Sequence, residues 1–508
     1  MHLRRRILGF ILATLFVSIT AAGCIPRGPA VPFDTMVIGV DGNAWDQFDP
    51  FLAKDRPTRN VLANVFEGLV RADASGHIMP LLAERWQQVD PLTWEFTLRS
   101  GVHFQDDTPF TPADAVFSIM QAMAESTNGP FGTTLAPITD VSASGQVIRI
   151  VTNKPYPLLL AALAQVPVVS RARYQIPGDG RQAVGTGLFR LVRHSGDTAE
   201  LERWDGYWNT SISSATGIRH VIFRLIPGAA TREAMLEQGQ LQLIQGVPAA
   251  DAGRLKGQGL QVMTVAGTMI NMVELNTMKP PLDRAEARRA LNYAIDYNEV
   301  IRKLYGGLGV RLAGPLLPGS LGESPRRAPY TYDPNLARSL WTQAGGTGTV
   351  FVIDTVPARA SEADLIAGML NDAGIRAQVQ VWADAGALRQ AIVTGERMAY
   401  LTQWGEASLD PYEVLVPKLR AGGLYNYSFY ANRDVDDLID EATVSTDQSR
   451  RAALYGQAEN QIIQDAPWVF GYVLEACEAA GPDVQGYQAR RDGLVILAGV
   501  SRKAPGNR

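Results

Sequence analysis

Residues 349–405 narrow the fold more than any other stretch, because they alternate between two periods. "TVFVIDT" at 349–355 is an apolar, β-branched run. Ser361, with Asp364 three residues on, caps a helix through Met369 and Leu370 that Gly374 stops. "IRAQVQVW" then places Ile375, Ala377, Val379 and Val381 at every second position. "ALRQAIVT" supplies a second helix and "RMAYLTQW" a third strand. Strand, helix and strand in so short a span form a βαβ unit, whose strands run parallel. The expected fold class is therefore α/β. In open sheets of this class, ligands bind outside the carboxyl ends of the strands. Trp404 and Gly405 stand at such an end, with Glu406 and Asp410 just beyond.

A similar end lies near the start of the chain. "TMVIGVDG" at 35–42 reads as a strand closed by an Asp-Gly turn, followed by Asn43, Trp45 and Asp46. The chain has 508 residues, and single cores stop growing at about 250–300 residues. Two lobes are expected, with one strand end from each meeting at a cleft.

The first 24 residues read as a processing segment. "MHLRRR" is cationic, and "ILGFILATLFVSI" at 7–19 is apolar but short for a bilayer span. "TAAGC" places small residues before Cys24 in the manner of a bacterial lipobox, with Ala21 where Leu is usual. Export and lipidation of Cys24 are expected, with an ordinary signal peptide as the alternative. Residues 25–34, "IPRGPAVPFD", form a Pro-rich tether. Net charge is −4 and pI about 5.9, which disfavours a nucleic-acid surface.

Catalytic signatures are missing. There is no GxSxG, GxxxxGK[ST] or GxGxxG, and none of the five His forms a metal motif. Met263, Met269, Met272 and Met278 read as core rather than as a soft-metal site. "GTG" at 185–187 reads as a tight turn, and Cys477 as a buried, inert thiol. Elsewhere, "TWEFTLRSG" alternates Trp94, Phe96 and Leu98 inward. "TPADAVFSIMQAMAE" predicts a helix capped by Thr111 and Asp114, with Val116, Phe117, Met120 and Met123 on its inner face. Helices are also predicted over 284–305, capped by Asp283, and over 447–465.

The segment "LTWEFTLRSGVHFQDDTPFTPADAVFSI" resembles the signature of the bacterial extracellular solute-binding proteins of family 5. Other blocks continue the resemblance in order, from "VFEGLVRADASGHIMPLLAERW" through "LNTMKPPLDRAEARRALNYAIDYNEVI" to "RAALYGQAENQIIQDAPWVFGY". The resemblance covers about residues 36–480. It implies a two-lobed periplasmic-binding-protein fold of type II, with an extra subdomain in lobe I, mixed sheets and flanking helices. Lobe I would span 35–269 with a subdomain at about 60–175, lobe II 270–470, and the return to lobe I 471–508. It also implies no enzyme activity; a monomer without cofactor is expected, and no metal motif is present in the sequence. Such a protein captures a peptide or small polar solute for an ABC permease and ATPase, outside the cytoplasm at the periplasm or cell surface, here on a lipid anchor; the alternative is the same fold in a non-transport role, as a sensor or envelope chaperone.

The resemblance sharpens the site. Trp404 becomes a cleft wall, and Asn426 and Tyr430 match family positions near the cleft. Arg359, before the Ser361 helix, is a candidate for a ligand carboxylate. Peptide-binding members place an Asp three residues after the Trp, where it meets the ligand ammonium. Here that residue is Ala407. Either Glu406 takes over, or the ligand is another solute; "WGEASLDP" also partly resembles nickel-chelate-binding relatives.

Overall fold

The computed structural model describes residues 31–125, 129–131, 134–174, 184–405 and 408–503. Its backbone is one mixed sheet of eleven strands that runs through both halves of the molecule. The central pair is Gln261–Leu275 and Trp468–Ala480, antiparallel and the longest strands present. On one side of this pair Leu243–Gln245, Thr35–Val40 and His220–Leu225 run parallel, and the hairpin of Phe189–Ser195 and Thr198–Arg203 ends the sheet. On the other side lie Ala399–Gly405, Phe351–Thr355 and Ala377–Val381, mutually parallel as the βαβ reading requires.

Each half covers both faces of its sheet with apolar side chains, as parallel strands require. Every residue of Thr35–Val40 is buried. At Gly39 a Cβ would stand 2.7 Å from the tip of the Leu241 side chain, so the strand packs closely against it. The first half packs Phe96, Phe104, Phe189 and Phe223 into one core. The second half has a core on each face, one around Tyr297, Phe351 and Ile366, the other around Leu415, Tyr455 and Trp468. A separate four-stranded sheet, residues 83–152, carries the helix Pro112–Ala124. No helix among the described residues is long and apolar enough to cross a membrane.

Several local expectations shift. The capping box of Thr111 and Asp114 forms. The most buried stripe of that helix, however, is Ala115, Ser118, Ile119 and Ala122, and Met120 is exposed. Small side chains let the helix sit close to the sheet, which turns the bulky face sideways. The helix expected over 284–305 is two helices, Ala285–Ala294 and Tyr297–Tyr305. Asp296 breaks it by accepting a hydrogen bond from the Asn298 amide, and Arg284 rather than Asp283 holds the first cap position. The helix after Phe351–Thr355 begins at Ala360, fed by a 3-10 turn over Pro357–Arg359, and has no Ser361 cap. Met272 is core, but Met269 and Met278 are exposed. The "GTG" turn packs flat on the chain: a Cβ at Gly185 would stand 2.0 Å from the Val65 carbonyl oxygen. Cys477 is buried, and burial pushes its thiol up to about 11.

Candidate functional site

The pairing registers place the carboxyl ends of both sets of strands toward the middle of the central pair. Gly405 stands opposite Met269, while Ile38 and Gly39 pair with Leu243 and Ile244, whose partners are Ala480 and Ala479. There the central pair loses register between Ala266 and Ile270. Residues 267–269 bulge out, the device that bends a strand locally. A Cβ at Gly267 would come within 3.0 Å of the Leu474 carbonyl oxygen.

In lobe I, Asn43 is exposed in the loop after the first strand. Trp45 packs on Phe48 at 5.7 Å, and Phe48 stacks on His194 at 4.1 Å. The Trp45 Nε1–H is buried without an acceptor. Asp46 caps its own turn. The Lys54 amide, and then that of Gln47, donate to its carboxylate and hold its pKa below the usual range.

In lobe II, the Trp404 indole donates to the Glu413 carbonyl at 3.0 Å and lies 5.4 Å from the Tyr425 ring. Lys418 Nζ sits over Trp404, Tyr427 and Trp468 at 5.3, 5.6 and 5.9 Å and pairs with buried Glu274. Burial raises the Glu274 pKa, against the pull of Lys418. Gly405 leaves room for Met269, whose methyl would be 3.2 Å from a Cβ. Glu406 and Ala407 lie outside the described residues. Asp410 accepts from the Tyr412 amide at 3.1 Å and from Arg451 at 2.7 Å.

Arg359 donates to Glu362 at 2.8 Å and to Asn271 at 3.1 Å. Glu362 in turn accepts from the Tyr472 hydroxyl at 2.9 Å. Arg359 thereby ties the loop after Phe351–Thr355 to both central strands, and its Nη1 is buried without an acceptor. Asn426 donates to the Arg420 and Tyr430 carbonyls and accepts from Ser428 and the Tyr430 amide. Tyr430 is buried, with its hydroxyl on Asp465 at 2.6 Å. Both side chains are engaged inside lobe II.

A cavity of about 630 Å³ lies between the halves. Lobe I gives most of its wall, Thr268 contributes from the bulge, and Ser408 and Leu409 close it from lobe II. The loop after Trp404 therefore reaches the cavity, while Trp404, Arg359, Asn43, Trp45 and Asp46 stand outside its lining. The same loop touches lobe I twice more. Leu409 packs at Gly76, where a Cβ would be 3.2 Å away, and the Tyr412 ring meets Tyr156 edge-on at 6.4 Å.

Sequence reasoning missed the helix Arg56–Leu62, which puts Arg56 and Arg59 on the cavity wall. The spacing of "RPTRN" is the available signal, since residues three apart share a helix face. A buried network fixes that helix. Asn60 donates to Gln245 at 2.7 Å, Gln245 to Glu478 at 2.7 Å, and Tyr487 to Glu478 at 2.6 Å. Glu67, in the same wall, accepts from Thr186, Tyr207 and Trp208, and its burial raises its pKa. Among the described residues no group of three His, Cys, Asp or Glu is placed to hold a metal ion.

Comparison with known proteins agrees with this architecture. The glutathione-binding protein GsiB of Escherichia coli O1:K1 / APEC is 27% identical over 474 residues, covering 89% of this chain and 91% of its own. The heme-binding protein A of Haemophilus influenzae is 29% identical over 504 residues, covering 89% and 90%. The solved structure of HbpA2 from Haemophilus parasuis superposes with a TM-score of 0.84 at 23% identity, over 92% of this chain and 100% of its own. Residues 77–426, more than half of the chain, match the family described as bacterial extracellular solute-binding proteins, family 5, and the protein belongs to that family.

Proposed function

We propose that the protein captures a peptide-like solute between its lobes and delivers it to an ABC permease and ATPase. The observation that carries this is the cavity between lobe I and the 408–409 loop, in a chain whose halves are joined by two strands. A ligand that touches both walls drives closure, because only differential contact with the closed state shifts the equilibrium. The peptide reading is supported by the similarity to a glutathione-binding protein, since glutathione is a tripeptide. A second reading, a non-peptide solute, is favoured by the similarity to a heme-binding protein. The role is binding without catalysis. Trp404 and Glu406 would meet the ligand from lobe II as the lobes close, and Asn43, Trp45, Asp46 and Arg359 are the further candidates for contact in the closed state.

Native mass spectrometry of the purified protein tests this reading by weighing what co-purifies. Saturating that solute is expected to lower the radius of gyration in small-angle scattering. An unchanged radius would count against a closing cleft. We also propose that the chain is exported and anchored through lipidated Cys24, which lies outside the described residues. Cys24→Ser is expected to move the protein from the membrane fraction to the soluble one. Unchanged partitioning into detergent would rule the anchor out.

A further inference from the structure

The cavity wall carries more positive charge than the fold consumes. Five arginines line it, Arg56, Arg59, Arg71, Arg490 and Arg491, against Glu67, Asp73 and Asp492. The three acids are occupied. Glu67 takes its three donors, Asp73 accepts the Ser75 and His77 amides, and Asp492 pairs with Arg490. Arg56, Arg59 and Arg71 have neither an ion pair nor a side-chain hydrogen bond to any described residue.

Arg59 differs from the other two in its surroundings. Arg56 and Arg71 are exposed, where water solvates a guanidinium freely, but Arg59 is partly buried. Desolvation pulls its pKa down, against the opposing field of Asp492, and the positive charge of Arg56 adds to that pull. A half-buried guanidinium that lines a cavity and has no protein acceptor is left free to bind an anionic group there. Its donor fork matches a carboxylate in two parallel hydrogen bonds. Arg59 lines the cavity, and Arg56 and Arg71 beside it add a field that draws anions in.

We propose that the captured solute carries a carboxylate that docks on Arg59 of lobe I, with Arg56 and Arg71 steering it into the cavity. This rests on the interlobe capture reading and names its chemistry. The lobe I wall would then hold the anionic end, leaving the 408–409 loop to close over the remainder.

The test is retention by the purified protein of three pools, measured by equilibrium dialysis with mass spectrometry. The first is a tripeptide pool, the second the same pool with its carboxyls methyl-esterified, and the third a set of non-peptide polycarboxylates. Free-acid tripeptides are expected to be retained over their esters. Arg59→Gln is expected to lower that retention more than about tenfold. The variant should stay close to the wild-type melting temperature, because no protein hydrogen bond or ion pair depends on this guanidinium. Should it fail to fold, exposed Arg71→Gln carries the test, with a smaller loss expected. Equal retention of acids and esters overturns the anion site and leaves the capture reading standing. Selective retention that Arg59→Gln does not reduce overturns Arg59 as the anchor. Polycarboxylates alone, lost in Arg59→Gln, sustain the anchor and overturn the peptide reading. Retention from no pool overturns both.

Discussion

Lys418→Met is expected to destabilise the protein by about 3–5 kcal/mol, the usual consequence of leaving one member of a buried ion pair alone. Glu274 is fully buried and Lys418 nearly so, and the Tyr400 hydroxyl is the other group that favours the charged carboxylate. The methionine fills similar volume, so the loss reports the stranded carboxylate together with the three lost cation–ring contacts. The pH dependence identifies the cause. Burial already raises the Glu274 pKa, and Lys418 works against it. Without Lys418 the folded-state value rises further above the unfolded one. A carboxyl with a raised folded pKa stabilises the fold below its unfolded pKa and loses that contribution as pH rises through the folded pKa. The deficit of Lys418→Met relative to wild type should therefore be larger near about pH 8 than near about pH 5. A deficit that does not change with pH in urea melts would assign the loss to packing alone.

Arg359→Met is expected to cost a comparable amount, about 3–5 kcal/mol, because it strands Glu362. That carboxylate is buried and would keep only the Tyr472 hydroxyl. The double variant Arg359→Met, Glu362→Leu removes both charges and is expected to recover much of the loss. Affinity then separates two roles for Arg359. If the side chain only braces the loop against Asn271 and Tyr472, the double variant binds its solute as the wild type does. If its unpartnered Nη1 meets a solute carboxylate, affinity stays low even where the melting temperature returns. Calorimetric titration beside thermal melts of the three proteins reads both outcomes.

These residues show what a sequence can disclose. The parallel strands over 349–405 were legible because period-two runs, caps and Gly374 are local signals, and Trp404 at a strand end followed from them. The join between the lobes was not. Gln261–Leu275 is half-exposed at one end and wholly buried at the other, so it shows no steady alternation, and its partner lies about two hundred residues away. Arg59 was silent for a different reason. A guanidinium against a cavity and one in open water look the same in a sequence, and only the fold separates them. Asn426 and Arg359 were visible as polar residues, but the hydrogen bonds that engage them come from distant loops and strands.

The place of the last long strand governs how the chain can be made. Between Leu275 and Trp468 the chain builds Phe351–Thr355, Ala377–Val381 and Ala399–Gly405 on one side of the central pair, whereas the lobe I sheet needs Trp468–Ala480 laid between Gln261–Leu275 and Leu243–Gln245. Until that segment arrives, two sheet edges with open backbone donors and acceptors face outward, the kind of edge that templates aggregation. Synthesis runs from the amino terminus, so lobe I, begun first, is completed last. A chain shortened before Trp468 would keep every residue of the cavity wall up to Leu409 and still have no closed sheet to hold it.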